Sequence, residues 1–322
     1  MMSPASGATG VTGATGVPRV TGVPGVSGVP AGDGSGHGPV RARCEVLSSR
    51  RIGPYAWLTL VAPEVAARTR AGQFVSLAVE APGTLLRRPF SVYRATGAGR
   101  GAGTIEVVFD VIGPGTRWLA ERTKHDIVDV VGPLGKPFPL PQRPVSCVLV
   151  GGGYGAAPLL YLAESLRALD LSAHMLLGAA SDQRIFNALD AKRACASVTI
   201  TTDDGSQGLR GRVTDALPEL LERTGAGVVY ACGPMPMLAA VSRLAAGRGV
   251  PCQVAVEESM ACGVGVCWTC VVPVRTDRGV ANLRACMDGP VLNGARIDWD
   301  RLFPPAAEPP AGPHRPDAEP AP

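Results

Sequence analysis

The sequence predicts an antiparallel β-barrel, then an α/β domain with a parallel sheet, and finally a small segment that carries clustered cysteines. Three changes of texture along the chain indicate this order. Short alternating apolar runs come first, alternating strands and helices follow, and three cysteines then fall within nine residues. A chain of 322 residues with 46% hydrophobic residues can form two domains of ordinary size with real cores.

Both ends of the chain are low in complexity. Residues 1–38 are rich in glycine and residues 304–322 in proline and alanine, so we expect both to be disordered tails. Glycine at every third position suggests a collagen-like alternative for part of the first tail, but the tract is short and broken. Between the tails we expect a barrel domain over 39–142, an α/β domain over 143–249 and a cluster segment over 250–303.

The first domain is predicted from short apolar runs separated by Gly/Pro turns. Such runs are typical of an antiparallel barrel or sandwich. The predicted strands are Trp57–Val61, Phe74–Val79, Phe90–Tyr93, Ile105–Val111 and Ile127–Val131.

The second domain is predicted from strands that alternate with amphipathic helices. This alternation indicates a parallel sheet with helices on its faces. The predicted strands are Val145–Val150, His174–Leu177, Ser197–Thr201 and Val228–Ala231. The predicted helices lie near Ala156–Leu169, Val213–Glu222 and Pro236–Ala246.

Charge and composition exclude several functions. The net charge of +4 is spread along the chain without a basic stripe, so we expect no nucleic-acid partner. No apolar run approaches the roughly 18–20 residues that span a bilayer, and the N-terminus lacks the features of a secretory signal. We therefore expect a cytoplasmic protein without a membrane span. The four histidines are scattered, so a cofactor rather than histidine is expected to supply any chemistry.

The strongest motif is a set of four cysteines with the spacing C-x4-C-x2-C and a fourth after fifteen residues. The first three have the spacing of a plant-type 2Fe–2S centre. The small residues Gly263 and Gly265 suit a loop that wraps closely around an inorganic core and turns backbone N–H groups toward the sulfurs. A zinc site is the alternative, although zinc ligands usually come in two short pairs. The predicted ligands are Cys262, Cys267, Cys270 and Cys286.

Two motifs in the first domain suit phosphate. The run RRPFSVY (Arg87–Tyr93) presents an arginine whose planar fork can bind a diphosphate, although an ordinary strand edge is an alternative. In VFDVIGPGTRWLA (Val108–Ala120), glycines and a threonine precede a helix and can offer backbone N–H groups to phosphate. A glycine-containing strand–turn–helix connection without a ligand is the alternative here.

Two further motifs fall at strand ends of the second domain. GGGYGAAP (Gly151–Pro158) follows a buried strand and opens a helix, but it is not a full dinucleotide fingerprint and can be a packing turn. YACGPMPML (Tyr230–Leu238) ends another strand, where ligands of such sheets bind. Cys232 is therefore expected to line a nicotinamide site, with a merely buried thiol as the alternative.

In order, the motifs RRPFSV, GPGT, GPLG, GGGYG, TDDGS, CGPMPM and EESMACGVGVC…C resemble the ferredoxin–NADP reductase superfamily. Within it they most resemble the electron transfer subunits of NAD-dependent dihydroorotate dehydrogenases, over about residues 40–303. The resemblance implies a ferredoxin reductase-like fold with an FAD-binding barrel, a nucleotide domain and a 2Fe–2S subdomain. It implies FAD contacts by Arg88, Pro89, Phe90, Ser91, Val108, Phe109, Asp110, Gly115 and Thr116. For NAD, the expected contacts are Gly151, Gly152, Gly153, Gly155, Cys232, Gly233 and Pro234.

One residue departs from the family pattern. Asp110 stands where similar proteins often have arginine, and an acid beside a diphosphate is unfavourable, so either this contact is absent or Arg117 substitutes. Arg184 is a possible contact for a 2′-phosphate, although a solvated helix start is the simpler interpretation.

The resemblance also implies a partner. An FMN-containing catalytic subunit would oxidise dihydroorotate, with two copies of each chain in the complex. This chain would pass the electrons through the cluster and FAD to NAD+ for pyrimidine (UMP) synthesis. It shows no evident base for dihydroorotate, as expected if that role lies in the partner. The alternatives are a reductase for a hydrogenase, oxygenase or ferredoxin, and a zinc-stabilised binding module.

Overall fold

The computed structural model describes residues 38–97 and 102–303. The predicted tails lie outside the described residues, apart from Gly38. Within the described residues, no helix is both long and apolar enough to cross a membrane.

Six antiparallel strands form a closed barrel in the order β1-β2-β5-β4-β3-β6. They run over Val40–Ile52 (β1), Tyr55–Val61 (β2), Phe74–Leu77 (β3), Arg88–Thr96 (β4), Thr104–Asp110 (β5) and Ile127–Leu134 (β6). Two short helices, Pro63–Ala66 (α1) and Pro114–Ala120 (α2), connect them. The predicted barrel is confirmed. The sequence analysis missed β1: residues 40–46 alternate apolar and charged side chains, but only Cys44 and Val46 are fully buried and residues 47–52 are all exposed.

The second domain contains a seven-stranded sheet in the order β10-β9-β8-β7-β11-β12-β15, in which β12 is Cys252–Ala255 and β15 is Val291–Asn293. Its first five strands in chain order are Ser146–Gly152 (β7), Ala173–Ala179 (β8), Ser197–Thr202 (β9), Leu209–Arg210 (β10) and Ala226–Cys232 (β11). The helices that follow these strands are Ala156–Arg167 (α3), Ala188–Ala194 (α4), Val213–Thr224 (α5) and Met235–Gly247 (α6). The strands from β7 to β12 pair in parallel, which confirms the predicted parallel-sheet domain.

The cysteine-bearing segment shares this sheet. Cys252–Ala255 (β12) pairs in parallel with β11, and Val291–Asn293 (β15) pairs with β12 in the antiparallel sense. Between them lie the cysteine loop and a separate hairpin of Val271–Thr276 (β13) and Gly279–Arg284 (β14), and Trp299–Leu302 (α7) ends the segment. The segment predicted as 250–303 therefore carries the cysteines and also contributes two strands to the nucleotide sheet.

The barrel and the α/β domain meet in a packed interface. The Tyr93 hydroxyl donates to Asp190 across it at 2.8 Å, and the Tyr93 ring packs edge-on against Phe186 and Trp57. Burial raises the pKa of Tyr93 far above its ordinary value, so its hydroxyl stays a donor. These contacts hold the barrel and the α/β domain together beside the cavity described below.

Candidate functional site

A cavity of about 340 Å³ opens where the barrel, the nucleotide sheet and the cysteine-bearing segment meet. This volume is typical of a small-molecule site. Ten of the predicted contact residues line it: Arg88, Pro89, Phe90, Ser91, Val108, Phe109, Asp110, Thr116, Gly155 and Cys232. The other predicted contacts, which are not part of the lining, are Gly115, Gly151, Gly152, Gly153, Gly233 and Pro234.

The two consecutive arginines at the start of β4 have different partners. Arg87 donates to the backbone of Ser76 and Asp129 and pairs with the Asp129 carboxylate, so it belongs to the barrel wall. Arg88 lies in the cavity lining, where its Nη1 donates to the Leu86 carbonyl at 2.7 Å. Of the two, Arg88 is therefore placed to bind a diphosphate.

The turn before α2 is shaped around Arg88. A Cβ added to Gly115 would lie 3.0 Å from Arg88 Nε, so glycine lets the guanidinium rest against the start of the helix. The Thr116 hydroxyl accepts the backbone N–H groups of Ile112 and Gly113 at 3.0 and 3.1 Å. Two N–H groups that the sequence offered to phosphate are therefore bound within the turn itself.

Asp110 faces the cavity and pairs with Arg184 of the other domain. Arg184 Nη1 lies 3.0 Å from Asp110 Oδ2, and the Arg184 carbonyl accepts the Tyr55 hydroxyl at 2.9 Å. Arg117, which the sequence left open as a substitute cation, is exposed on α2 and is not part of the lining. Arg184 lies in an exposed helical turn, Asp182–Arg184, and in addition forms a bridge between the domains.

The glycine turn after β7 owes its composition to packing. A Cβ on Gly155 would lie 2.7 Å from Gly233 Cα, and one on Gly152 would lie 2.7 Å from Met237 Sδ. These glycines let the ends of β7 and β11 approach closely. They shape the part of the cavity wall that Gly155 and Cys232 form. Close packing therefore explains these glycines, alongside any role in binding.

Three groups with perturbed acidity meet on the nucleotide side of the cavity. Burial, reinforced by Glu257, raises the pKa of the Cys232 thiol well above its ordinary value. Burial raises the pKa of Tyr154 to about 12, with further contributions from Glu257 and Asp110. Enclosure by the cavity walls also raises the pKa of Glu257. The Cys232 thiol and the Tyr154 phenol are therefore neutral at pH 7.

Much of the lining was not predicted from the sequence. The additional residues are Phe74, Ile112, Tyr154, Ala157, Pro158, Val256, Glu257, Glu258, Ser259, Met260 and Pro290. Two signals were available. Tyr154 is the one large side chain in the glycine turn, and an acidic pair directly follows β12 just before the first clustered cysteine.

The four predicted cysteine ligands lie in one region as two pairs. The Cys262 sulfur accepts backbone N–H groups from Val264, Val266 and Cys267 at 3.3 to 3.5 Å, and the Cys270 sulfur accepts the N–H of Cys286 at 3.5 Å. The predicted backbone donors are thus confirmed, and Gly263 and Gly265 have the positive φ values that such a loop requires. Two thiol pairs with amide donors around the sulfurs fit a cluster with two irons. Among the described residues, no three His, Cys, Asp or Glu side chains are grouped for a single metal ion.

The cysteine loop lies directly against the cavity wall. A Cβ on Gly263 would lie 3.6 Å from Phe74 Cε2, and Phe74 itself lines the cavity. Phe74 pairs with Ser91 between β3 and β4. The Phe74 ring therefore separates the cysteine loop from the space beside Ser91.

Comparison with known proteins decides the family. The iron–sulfur cluster binding domain of dihydroorotate dehydrogenase B matches residues 257–298, and the oxidoreductase NAD-binding domain matches 149–243. The dihydroorotate dehydrogenase B (NAD(+)) electron transfer subunit of Desulforamulus reducens is 33% identical over 258 residues, 80% of this chain and 97% of that protein. The corresponding protein of Geobacillus thermodenitrificans is 38% identical over 262 residues, 80% of this chain and 98% of that protein.

This chain belongs to the family of dihydroorotate dehydrogenase B electron transfer subunits. All four predicted cysteines fall inside the matched iron–sulfur range, which favours iron–sulfur over the zinc alternative. The chain shares its fold with a solved NADH-dependent reduced ferredoxin-NADP oxidoreductase that is described in terms of flavin-based electron bifurcation. That structure is 30% identical, with a TM-score of 0.71, and the match covers 81% of this chain and 91% of the other. The ferredoxin reductase of carbazole 1,9a-dioxygenase also shares the fold. It is 23% identical, with a TM-score of 0.57, and the match covers 66% of this chain and 67% of the other.

Proposed function

We propose that this chain is the electron transfer subunit of a dihydroorotate dehydrogenase and connects a dihydroorotate-oxidising partner to NAD+ in pyrimidine (UMP) synthesis. It would hold FAD in the cavity, a 2Fe–2S cluster on the four cysteines and NAD at the sheet edge. The observation that carries the proposal is the shared wall. Phe74 lines the cavity, and its ring lies 3.6 Å from the position that a Cβ on Gly263 of the cysteine loop would take, so two redox cofactors bound there would be near neighbours.

The residues of the barrel would hold FAD without taking part in its chemistry. When bound, FAD exchanges two electrons with a nicotinamide and single electrons with an iron–sulfur cluster. Arg88 provides the cation for the diphosphate, and Phe90 and Phe109, whose ring centroids lie 4.9 Å apart, provide an apolar wall. Ser91 supplies a hydroxyl beside them. This arrangement matches the usual composition of cofactor sites, which are mostly apolar with a few placed polar groups.

The nucleotide side of the cavity would orient the nicotinamide. Cys232 and Tyr154 are neutral side chains at the end of β11 and in the turn after β7. They present an uncharged surface. Glu257, which contributes to both raised pKa values, also lines the cavity.

The surface around the cysteine loop suits a protein partner. Cys267 is exposed, and four apolar side chains around it are also exposed: Val264, Val266, Trp268 and Met287. Exposed apolar groups concentrated at one place usually mark a protein contact. We therefore place the catalytic subunit, expected to carry FMN, on this face, in a complex with two copies of each chain. In the described structure none of the nine cysteines forms a disulfide, and five of them lie outside the proposed ligand set, which supports a reducing compartment, the cytoplasm.

The test is to co-express the full chain with a dihydroorotate-oxidising flavoprotein and purify the complex anaerobically. The expected result is NAD+ reduction that depends on dihydroorotate and needs both subunits, together with iron and FAD in this chain. Cys267→Ser is the informative variant, because it should remove this coupling while NADH oxidation with ferricyanide continues. A chain that carries FAD and iron but never supports dihydroorotate-dependent NAD+ reduction would instead be a reductase for another partner.

A further inference from the structure

Asp110 lines the cofactor cavity, and its ion-pair partner Arg184 lies next to it, just outside the lining residues. Arg184 ends a short turn, Asp182–Arg184, that follows β8, and β8 pairs with β7 up to Gly178 and Gly152. The turn therefore lies beyond the carboxyl ends of two adjacent parallel strands. In open α/β sheets this is where ligands bind.

The turn is held firmly in place. Besides the bond from Tyr55 to the Arg184 carbonyl, the Asp182 N–H donates to Ser206 Oγ at 2.8 Å. Tyr55 in turn packs on Tyr154, with ring centroids 5.7 Å apart, and Tyr154 lines the cavity. A continuous set of contacts thus ties the position of Arg184 to the wall of the site.

The charge of the cavity requires a further cation. Among its described lining residues, Arg88 is basic, whereas Asp110, Glu257 and Glu258 are acidic. Two dinucleotides would bring two diphosphates into this surrounding, and like charges repel strongly in a partly enclosed site. Arg184 neutralises Asp110 at the rim, and 49% of its side chain remains exposed, so donors of its five-donor guanidinium stay accessible.

We infer that Arg184 binds a phosphate of the nicotinamide dinucleotide and that Asp110 is its positioning residue. The inference rests on the proposed function. The cation, Arg184, comes from the nucleotide domain, and Asp110 comes from the barrel. In similar proteins with arginine at position 110, the cation would instead lie on the barrel. Arg184 would bind the nucleotide only while the domains are joined as the structure shows them.

The test uses the full chain loaded with FAD and cluster, with NADH as substrate and ferricyanide as acceptor. Arg184→Ala should raise KM for NADH roughly tenfold, the loss of one charge-assisted hydrogen bond, with kcat unchanged. It should also weaken competitive inhibition by ADP-ribose to the same extent and reduce the dependence of KM on salt. Arg184→Lys should restore part of the affinity, because it keeps the charge without the planar fork.

Two further variants separate binding from a structural role. Arg243→Ala removes a comparably exposed arginine that pairs with Asp300 at 2.8 Å outside the cavity lining, and it should leave KM as in the wild type. Asp110→Asn breaks the bridge but keeps the cation and removes a negative charge, so it should raise KM less than Arg184→Ala. Equal KM values for wild type and Arg184→Ala, or equal effects of Asp110→Asn and Arg184→Ala, would overturn the inference.

Flavin content distinguishes the remaining outcomes. Loss of FAD from Arg184→Ala would show that the cation serves FAD and would also overturn the inference. A wild-type chain with FAD and iron that does not oxidise NADH would overturn the proposed function, and this inference with it.

Discussion

Gly155 offers a sharp test of how the cavity floor is built. Its backbone lies in the ordinary right-handed helical region, with φ of −59°, so alanine can adopt it without strain. The obstacle is space, because a Cβ would lie 2.7 Å from Gly233 Cα, 2.8 Å from Gly233 N and 2.9 Å from the Cys232 carbonyl oxygen. These are backbone atoms on a buried strand end, and they cannot rotate away as a side chain could.

Gly155→Ala should therefore destabilise the protein by about 1–3 kcal/mol, the usual result of overpacking. For a domain of this size that corresponds to a fall in Tm of roughly 2–4 °C per kcal/mol. The two strand ends must also move apart, so KM for NADH should rise.

The measurement is thermal unfolding at equal FAD and iron loading, alongside NADH oxidation with ferricyanide. The matched control is Gly247→Ala at the end of α6, where no atom lies within 4 Å of the added Cβ. There alanine should stabilise slightly, by up to about 1 kcal/mol, because glycine is the poorer helix former. If both variants shift Tm in the same direction, close approach of the two strand ends does not explain Gly155.

Three further predictions follow from the cysteine segment and its surroundings. Cys286→Ser should lose most of the bound iron and its visible absorption, whereas Cys195→Ser should keep both; retention of iron by the first variant would remove Cys286 from the ligand set. Val266→Asp should weaken binding of the catalytic subunit roughly tenfold by calorimetry without releasing iron, and Leu169→Asp, exposed outside the cysteine loop, should not. The pKa of Glu257 is raised by burial, so its stabilising effect is complete below its ordinary value of 4.5 and is lost as pH rises through the raised value. Glu257→Gln should therefore have a higher Tm than the wild type at pH 7 and an equal one at acid pH; a lower Tm at pH 7 would contradict this sign.

The cysteine ligands and the order of domains could be predicted from the sequence. Three of the four cysteines lie within nine residues, so their spacing alone reports the geometry of the loop. The barrel and the parallel sheet follow from local periodicity, because strands and helices repeat every two and every 3.6 residues along the chain. Strand β1 was missed although residues 40–46 follow that repeat, because residues 47–52 are all exposed and the repeat is not sustained along the strand.

Pairings between distant residues were decided only by the tertiary structure. Arg87 and Arg88 are adjacent and chemically identical, yet Asp129 on β6 engages the first and leaves the second to the cavity. Asp110 and Arg184 are 74 residues apart, and their meeting across two domains turns an unfavourable acid into half of an ion pair. Electrostatic and packing energies depend on distance in space, whereas sequence patterns report only neighbours along the chain, so such contacts are fixed only when the domains come together.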